Sequence, residues 1–354
     1  MRIRVDEKIA KAAVYGGSFL GGGGGGDLRE GLKTAELTLS LGELLIVSVD
    51  ELSKDSYIAT ASIVGAPAAK ERYVTPRHMI RSFELLLEAV DVDIRGIISS
   101  ENGGASITNG WIPAVLLELP IVDAPADGRA HPTGVMGSMG LHKREDYISI
   151  QACAGGDIRR GRYIELVVRG SLENTDKIIR EASVRAGGMV AVARNPVERD
   201  YVVANAAVGA VLKAISIGEI MIKYKEDAEE MSRKIIEYLG GGKIIDKGVV
   251  LDKILETRGG YDIGRITIRS SDNKKYIIRF WNEYMSLETE EGFKIASFPD
   301  LITTIDIKTS LPLTSAEINI GDEIIIIAVP KENIPLGSGV KDPELISEVW
   351  RVLQ

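Results

Sequence analysis

The sequence predicts an α/β N-terminal domain built on a parallel or mixed sheet, followed by an α+β C-terminal domain that contains a β-rich subdomain. Three observations carry this reading. Between residues 44 and 122, apolar runs of strand length alternate with segments of helical period. From about residue 243 to 330 the pattern is mostly strands separated by Gly and Asn/Asp turns. The length of 354 residues also suits about two domains of the usual ~150. The pattern changes after about residue 147, and the expected division is 1–170 and 171–354, with the β-rich subdomain at about 243–330.

Taken in order, the first element surrounds Gly16-Gly17 and six consecutive glycines, Gly21 to Gly26. Asp27 suits a helix N-cap, and Leu28, Leu32 and Ala35 follow at helical spacing, so the run opens a helix. Ala12 to Tyr15 before it is a weak strand candidate. Next come an apolar run Leu44 to Val49, a strand Tyr57 to Val64, a helix with Met79, Phe83, Leu86 and Val90 on one face, and a strand Ile94 to Ile98. Trp111 to Leu117 reads as a short helix with Pro113 in its first turn, where no amide donor is needed. Ile121-Val122 is a short strand. Strands at Tyr147 to Ala152, Tyr163 to Val168 and Met189 to Ala193 flank a helix at Asn174 to Arg185. Helices at Tyr201 to Ile215 and Glu226 to Leu239 follow, the second ended by Gly240 to Gly242. The later strands are Ile244 to Leu251, Ile263 to Ile268, Tyr276 to Trp281, Leu301 to Ile307 and Glu323 to Val329, and an amphipathic helix, Asp342 to Leu353, ends the pattern.

Composition removes several classes of function. Lys and Arg total 43 against 51 Asp and Glu, a net charge of −8, which argues against a general binder of nucleic acid or anionic membrane. Apolar residues at 45% and charged residues at 27% are globular values. No apolar run reaches the roughly 18 residues that span a bilayer, and MRIRVDEKIAKAAVYGG lacks a signal-peptide pattern. The single cysteine, Cys153, excludes an internal disulfide framework and multi-Cys zinc patterns, so a cytoplasmic location is expected. His78, His131 and His142 form no H-E-x-x-H arrangement, and any metal site would be carboxylate-rich or mixed.

The six glycines trivially spell a dinucleotide fingerprint without its strand and ribose-binding acid, and no Lys-Ser/Thr follows to make a phosphate loop. Physically, the run means positive φ or a close approach by another group. Its N–H groups at a helix start suit an oxyanion or carbonyl. A binding wall and a tight crossover both fit. Three glycine-marked corners carry polar side chains after predicted strands: Gly65-Ala66-Pro67 with Glu71, Glu101-Asn102-Gly103-Gly104, and Asp123 through Arg129-Ala130-His131-Pro132. In an open α/β sheet such strand ends share one edge, where ligands sit. Glu101 reads as a catalytic or a turn acid. Asp123 and Arg129 read as site residues or as a structural pair across the turn, and His131 as a ligand or a hydrogen-bonding histidine. Cys153 has no base nearby and reads as a buried apolar thiol.

Together, Tyr15-Gly16, Phe19-Leu20-Gly21 through Asp27, Gly65-Ala66-Pro67, Glu101 with Gly103-Gly104, Leu119 to Asp123 and Gly128-Arg129-Ala130-Pro132 resemble the S-methyl thiohydantoin desulfurase family. Ala193 to Pro196, Gly260 to Gly264, Trp281 to Tyr284 and Pro299 to Ile302 look like that family's later motifs. The resemblance implies a hydrolase that removes the S-methyl sulfur from a small cyclic imide-like ring, giving a hydantoin and methanethiol. It implies Glu101, Asp123 and Arg129 as catalytic residues, with Gly23, Gly24, Gly25, Asp27, Pro67, Glu71, Gly103 and Gly104 around the substrate. If a divalent metal activates the water, Asp123 and His131 are its candidates. A small-molecule substrate, a homo-oligomer and a hydantoinase-like partner protein are the expected associations, with non-catalytic ligand binding as the alternative. Pro125, His131 and Ser106 depart from the family's usual residues and suggest a different substrate.

Overall fold

The computed structural model describes residues 1–353. Its elements are β1 (Arg2–Arg4), α1 (Glu7–Leu20), α2 (Leu28–Leu41), β2 (Leu45–Val47), β3 (Tyr57–Gly65), α3 (Pro76–Ala89), β4 (Ile94–Ser99), α4 (Trp111–Leu116), β5 (Ile121–Val122), β6 (Ser149–Gly155), β7 (Ile164–Gly170), α5 (Leu172–Arg185), β8 (Met189–Glu198), α6 (Arg199–Asn205), α7 (Ala210–Lys223) and α8 (Ala228–Leu239). There follow β9 (Lys243–Arg258), β10 (Tyr261–Ser270), β11 (Lys275–Trp281), β12 (Glu283–Thr289), β13 (Lys294–Ser297), β14 (Leu301–Asp306), β15 (Glu323–Val329) and α9 (Pro343–Leu353). Among the described residues no single helix is long and apolar enough to cross a membrane.

The N-terminal region has a mixed sheet in the order β1-β2-β5-β4-β3-β8-β6-β7. Strands β2, β5, β4 and β3 run parallel, while β8 joins β3 antiparallel, pairing Thr60 with Arg194 and Gly65 with Met189. Side chains alternate across β6, so Ala152 faces the core shared with Phe83 and Leu86 of α3, and Cys153 faces Ile179 and Ala182 of α5. Burial pushes the Cys153 thiol up to about 12, which leaves it an inert apolar group. The C-terminal region has a curled antiparallel sheet in the order β13-β12-β11-β10-β9-β15-β14, plus helices. Its core holds Ile266, Ile278, Phe280, Tyr284 and Ile326.

Several expectations change. Ala12 to Tyr15 belongs to α1, because Gly16 packs directly on Ala214 of α7, where a Cβ would stand 1.7 Å from a carbonyl oxygen. The helix expected from Tyr201 breaks into α6 and α7 at Gly209, which has φ +83°. Strand β8, which follows residue 170, lies in the first sheet beside β3, and the second sheet begins after α8. Strands β12 and β13 add to the five expected in the β-rich part.

The glycine run closes α1 and opens α2, with Asp27 accepting the Arg29 N–H at 2.6 Å. It is also where the two sheets touch. The Tyr284 N–H donates to the Gly22 carbonyl at 2.8 Å and the Ser315 N–H to that of Gly23 at 2.7 Å. Gly23, at φ +83°, lies under the Tyr284 ring, where a Cβ would stand 2.5 Å from ring carbons. Gly161 has a similar φ, +66°, but open space around it. Gly23→Ala should therefore cost about 3 kcal/mol of stability, against about 1 kcal/mol for Gly161→Ala. Urea denaturation of both variants measures the difference, and equal losses would show that the contact with Tyr284 matters little.

Candidate functional site

The parallel strands β3, β4 and β5 end on one sheet edge, and the loops after them enclose a chamber of about 90 Å³ against the glycine run and the β11–β12 turn. Glu101, His131, Arg180, Arg194, Asn282 and Glu283 line it, with Gly25, Gly26, Pro67 and Ser106.

Glu101 follows β4 directly. One carboxylate oxygen accepts the His131 N–H at 3.1 Å, and His131 Nδ1 stands 3.2 Å from it. Burial pushes the Glu101 carboxyl up to about 7, a rise that the His131 N–H and the positive charges of Arg194 and Arg129 only partly offset. Asp127 is fully buried. Its Oδ1 accepts the Gly128 and Gly337 N–H groups at 2.8 and 3.0 Å. Its Oδ2 has no hydrogen-bond partner and lies 3.9 Å from His131 Nδ1. Burial drives this acid up to about 8. His131 goes the other way, down to about 3, because burial and then Arg194 disfavour its cation. The imidazole is therefore neutral at ordinary pH, between two acids that retain protons well above their usual range. Its Nε2 faces Gly137, where a Cβ would stand only 2.0 Å away.

Glu283 comes from the other sheet. Asn282 before it adopts φ +57°, which turns the chain and places the Glu283 carboxyl against Gly24. Burial, and then the Glu101 charge, raise its pKa well above the usual value, and Oε2 has no hydrogen-bond partner. Arg194, from the middle of β8, is 3.6 Å from Asp176, and its Nε and Nη1 form no hydrogen bond among the described residues. Arg180 is committed to backbone. It donates to the carbonyls of Gly65, Gly260 and Pro132 at 3.3, 3.0 and 2.9 Å and stacks on Tyr261. The chamber thus offers titratable carboxyls for proton transfer and an underused guanidinium for a carbonyl or anion.

Of the residues singled out in the sequence, Glu101, His131, Pro67 and Gly25 line the chamber. Gly24 backs Glu283, Gly103 packs on Gly25, and Gly104 on Gly26 and Leu28. The others are corrected. Asp123 accepts the Val211 and Leu212 N–H groups at 2.8 and 3.3 Å, so the carboxylate serves the unpaired donors at the start of α7. Arg129 makes no pair with Asp123. It lies behind the chamber wall, donating to the carbonyls of Ala130, Asp300 and Tyr284 and stacked 4.7 Å from the Phe298 ring centroid. Asp27 is a helix cap and Gly23 a packing position. Glu71 is exposed and paired with Arg162, because the loop turns its side chain to solvent. Asp123 and His131 share no metal arrangement, and no three His, Cys, Asp or Glu side chains among the described residues gather as a ligand set. The other histidines are structural: His78 Nδ1 accepts the Thr75 N–H at 3.1 Å, and His142 meets Asp342 at 2.5 Å.

Sequence reasoning missed Asp127, Arg180, Arg194, Asn282 and Glu283 as site residues. The signal was present in part, since Ala193-Arg194-Asn195-Pro196 and Trp281-Asn282-Glu283-Tyr284 stood out as motifs without a place.

Two family models match the chain: the S-Me-THD-like N-terminal domain over residues 10–159 and the S-Me-THD-like C-terminal domain over residues 171–335. A crystal structure of a protein from Chromobacterium violaceum shares the fold, with a TM-score of 0.78 at 17% identity, over 99% of this chain and 98% of that one. No curated protein matches the sequence.

Two outcomes follow from this geometry. A buried acid whose pKa is raised in the folded state favours folding below its unfolded value and loses that contribution as pH rises through the folded value. Asp127→Asn should therefore come nearest the wild type in melting temperature near pH 4 and exceed it increasingly up to about pH 8, by about 2 °C or more; parallel melting curves across that range would contradict the burial argument. Asp123→Ala should lower stability by about 1–2 kcal/mol, read by urea denaturation, through loss of the α7 cap.

Proposed function

This chain belongs to the S-Me-THD-like family, and from that premise we propose that it is a hydrolase acting on a small cyclic imide or S-methyl thiohydantoin-like ring, releasing a thiol. The observation that carries the reading is the pairing of Glu101 with His131 on the wall of a small chamber that Arg194 and Glu283 also line, each with buried polar atoms that make no hydrogen bond. A planar ring amide offers both a carbonyl acceptor and an N–H donor. Arg194 complements the first and Glu283 the second.

In the reaction proposed, Glu101 as carboxylate takes a proton from water as the oxygen adds to the ring carbon that bears sulfur. Electron density moves onto the adjacent ring nitrogen and into the ring carbonyl conjugated with it, where Arg194 stabilises the developing charge. As the tetrahedral adduct collapses, its hydroxyl proton passes to that ring nitrogen, the carbonyl forms and the carbon–sulfur bond breaks, and the departing methanethiolate takes the proton held by Glu101. Ring and water become a ring carbonyl and methanethiol, and Glu101 returns to its starting state. Neutral His131 holds the carboxylate in place through its main-chain N–H. With the Glu101 carboxyl pushed up to about 7, the base is ionised above that pH and protonated below it.

Thiol release from S-methyl thiohydantoins, with mass spectrometry of the ring product, tests this. The wild type should show kcat/KM rising as pH passes through about 7. Glu101→Gln should lose about 10²–10⁴-fold in kcat with a melting temperature no lower than the wild type's, since it removes a buried acid whose ionisation disfavours folding. Unchanged turnover in that variant would remove Glu101 from the base role. Saturable ring binding without product at any pH would make the protein a non-catalytic binder.

A further inference from the structure

The chamber that holds Glu101 is not the end of the cavity. A second space of about 560 Å³ lies outside it, between α2, the start of α3 and the loop that follows β3. The two share Glu30, Ile63, Arg72, Ala105, Asn109 and Met189 as walls, so they are one inner chamber and one vestibule. Their chemistry differs. The inner chamber is small and carries the buried acids, whereas the vestibule has an apolar floor that includes Leu37, Met79 and Ile112 and a rim with Lys33 and Lys70.

The neck between them is crossed by an ion pair. Arg72, on the loop after β3, places Nη1 and Nη2 at 3.3 and 3.1 Å from the two carboxylate oxygens of Glu30 on α2. Among the described residues Glu30 is the only acid lining the vestibule, against Lys33, Lys70 and Arg72. Of these cations only Arg72 has a carboxylate partner among the described residues. The unbalanced positive charge over an apolar floor is complementary to a flexible chain that ends in an anion, and the apolar stems of the lysines add to the contact.

Resting on the hydrolase reading above, we infer that the ring substrate carries an acidic side chain: the ring occupies the inner chamber, and a carbon chain ending in a carboxylate lies in the vestibule, where Lys33, Lys70 and Arg72 receive it. Arg72 then determines specificity, because an arriving carboxylate competes with Glu30 for its guanidinium. The size of the inner chamber sets a limit of one small ring. The substituent must leave by the neck.

The test compares two S-methyl thiohydantoins that differ only at the end of the ring substituent, one a carboxyethyl group and the other its carboxamide. Binding is measured by calorimetry and turnover by thiol release, with wild type, Lys33→Glu/Lys70→Glu and Arg72→Gln proteins. The wild type should bind the carboxylate about tenfold more tightly than the carboxamide, as expected from two to three exposed charge contacts. The preference should shrink at 0.5 M salt. The lysine double variant should abolish or reverse it, and Arg72→Gln should reduce it. Both lysines are exposed, so these changes leave the core intact. Equal binding of the two rings by the wild type overturns the acidic substituent and leaves the hydrolase reading standing. Binding of neither ring overturns the ring reading, and the acidic substituent with it.

Discussion

Three guanidinium groups, those of Arg129, Arg180 and Arg194, are almost entirely withdrawn from water around one cavity. Leaving such a charge unanswered costs several kcal/mol, so the elements nearby are arranged to answer it. Arg129 and Arg180 do so with backbone, and each also lies over an aromatic ring, Phe298 for Arg129 and Tyr261 for Arg180. Arg129 joins the loop after β5 to Tyr284 and Asp300 of the second sheet. Arg180 joins Gly65 and Pro132 of the first sheet's loops to Gly260 of the second. The docking of the two sheets is thus fixed by main-chain carbonyls gathered around two cations.

Arg194 is treated differently. Its Nη1 is 3.6 Å from Asp176, and neither Nη1 nor Nε makes a hydrogen bond among the described residues, so its guanidinium is the least committed of the three. The carboxyls divide in the same way. Burial is the largest influence on the protonation of all four and raises the pKa of each, but Asp123 meets the amides of α7 and Asp127 those of Gly128 and Gly337, while Glu101 and Glu283 line the chamber. Carboxyls that hold protons near neutrality can exchange them with a reacting ring.

Much of the architecture was legible from local pattern. The parallel order of β3, β4 and β5 follows from strands alternating with helices, and the caps at Asp27 and Gly240 follow from residue type. Glu101 was legible because it directly follows an apolar strand. Asp123 was misread for the same reason: both acids end strands, and only the position of α7, far along the chain, decides that Asp123 meets amide donors. Asp127 was hidden between two more conspicuous residues of the same loop. Arg194 and Glu283 could not be placed at all without two non-local facts, the insertion of β8 beside β3 and the approach of the β11–β12 turn to the glycine run. Local periodicity contains neither.

The glycine run resolves into two roles, which explains its length. Gly22, Gly23 and Gly24 are approached from the second sheet, by Leu301, the Tyr284 ring and the Glu283 side chain; Gly25 and Gly26 are approached from the first, by Gly103 and Ala105. A side chain in the first group would push Glu283 outward, and one in the second would displace the segment that follows Glu101. Either would widen the distance between acids supplied by different sheets. The run lets two separately built walls come within one small ring's width of each other, and the chamber's volume of about 90 Å³ is the result. A flexible linker of similar composition would not do this, because the contacts on both sides are backbone and rigid side chains that leave the loop little room to move.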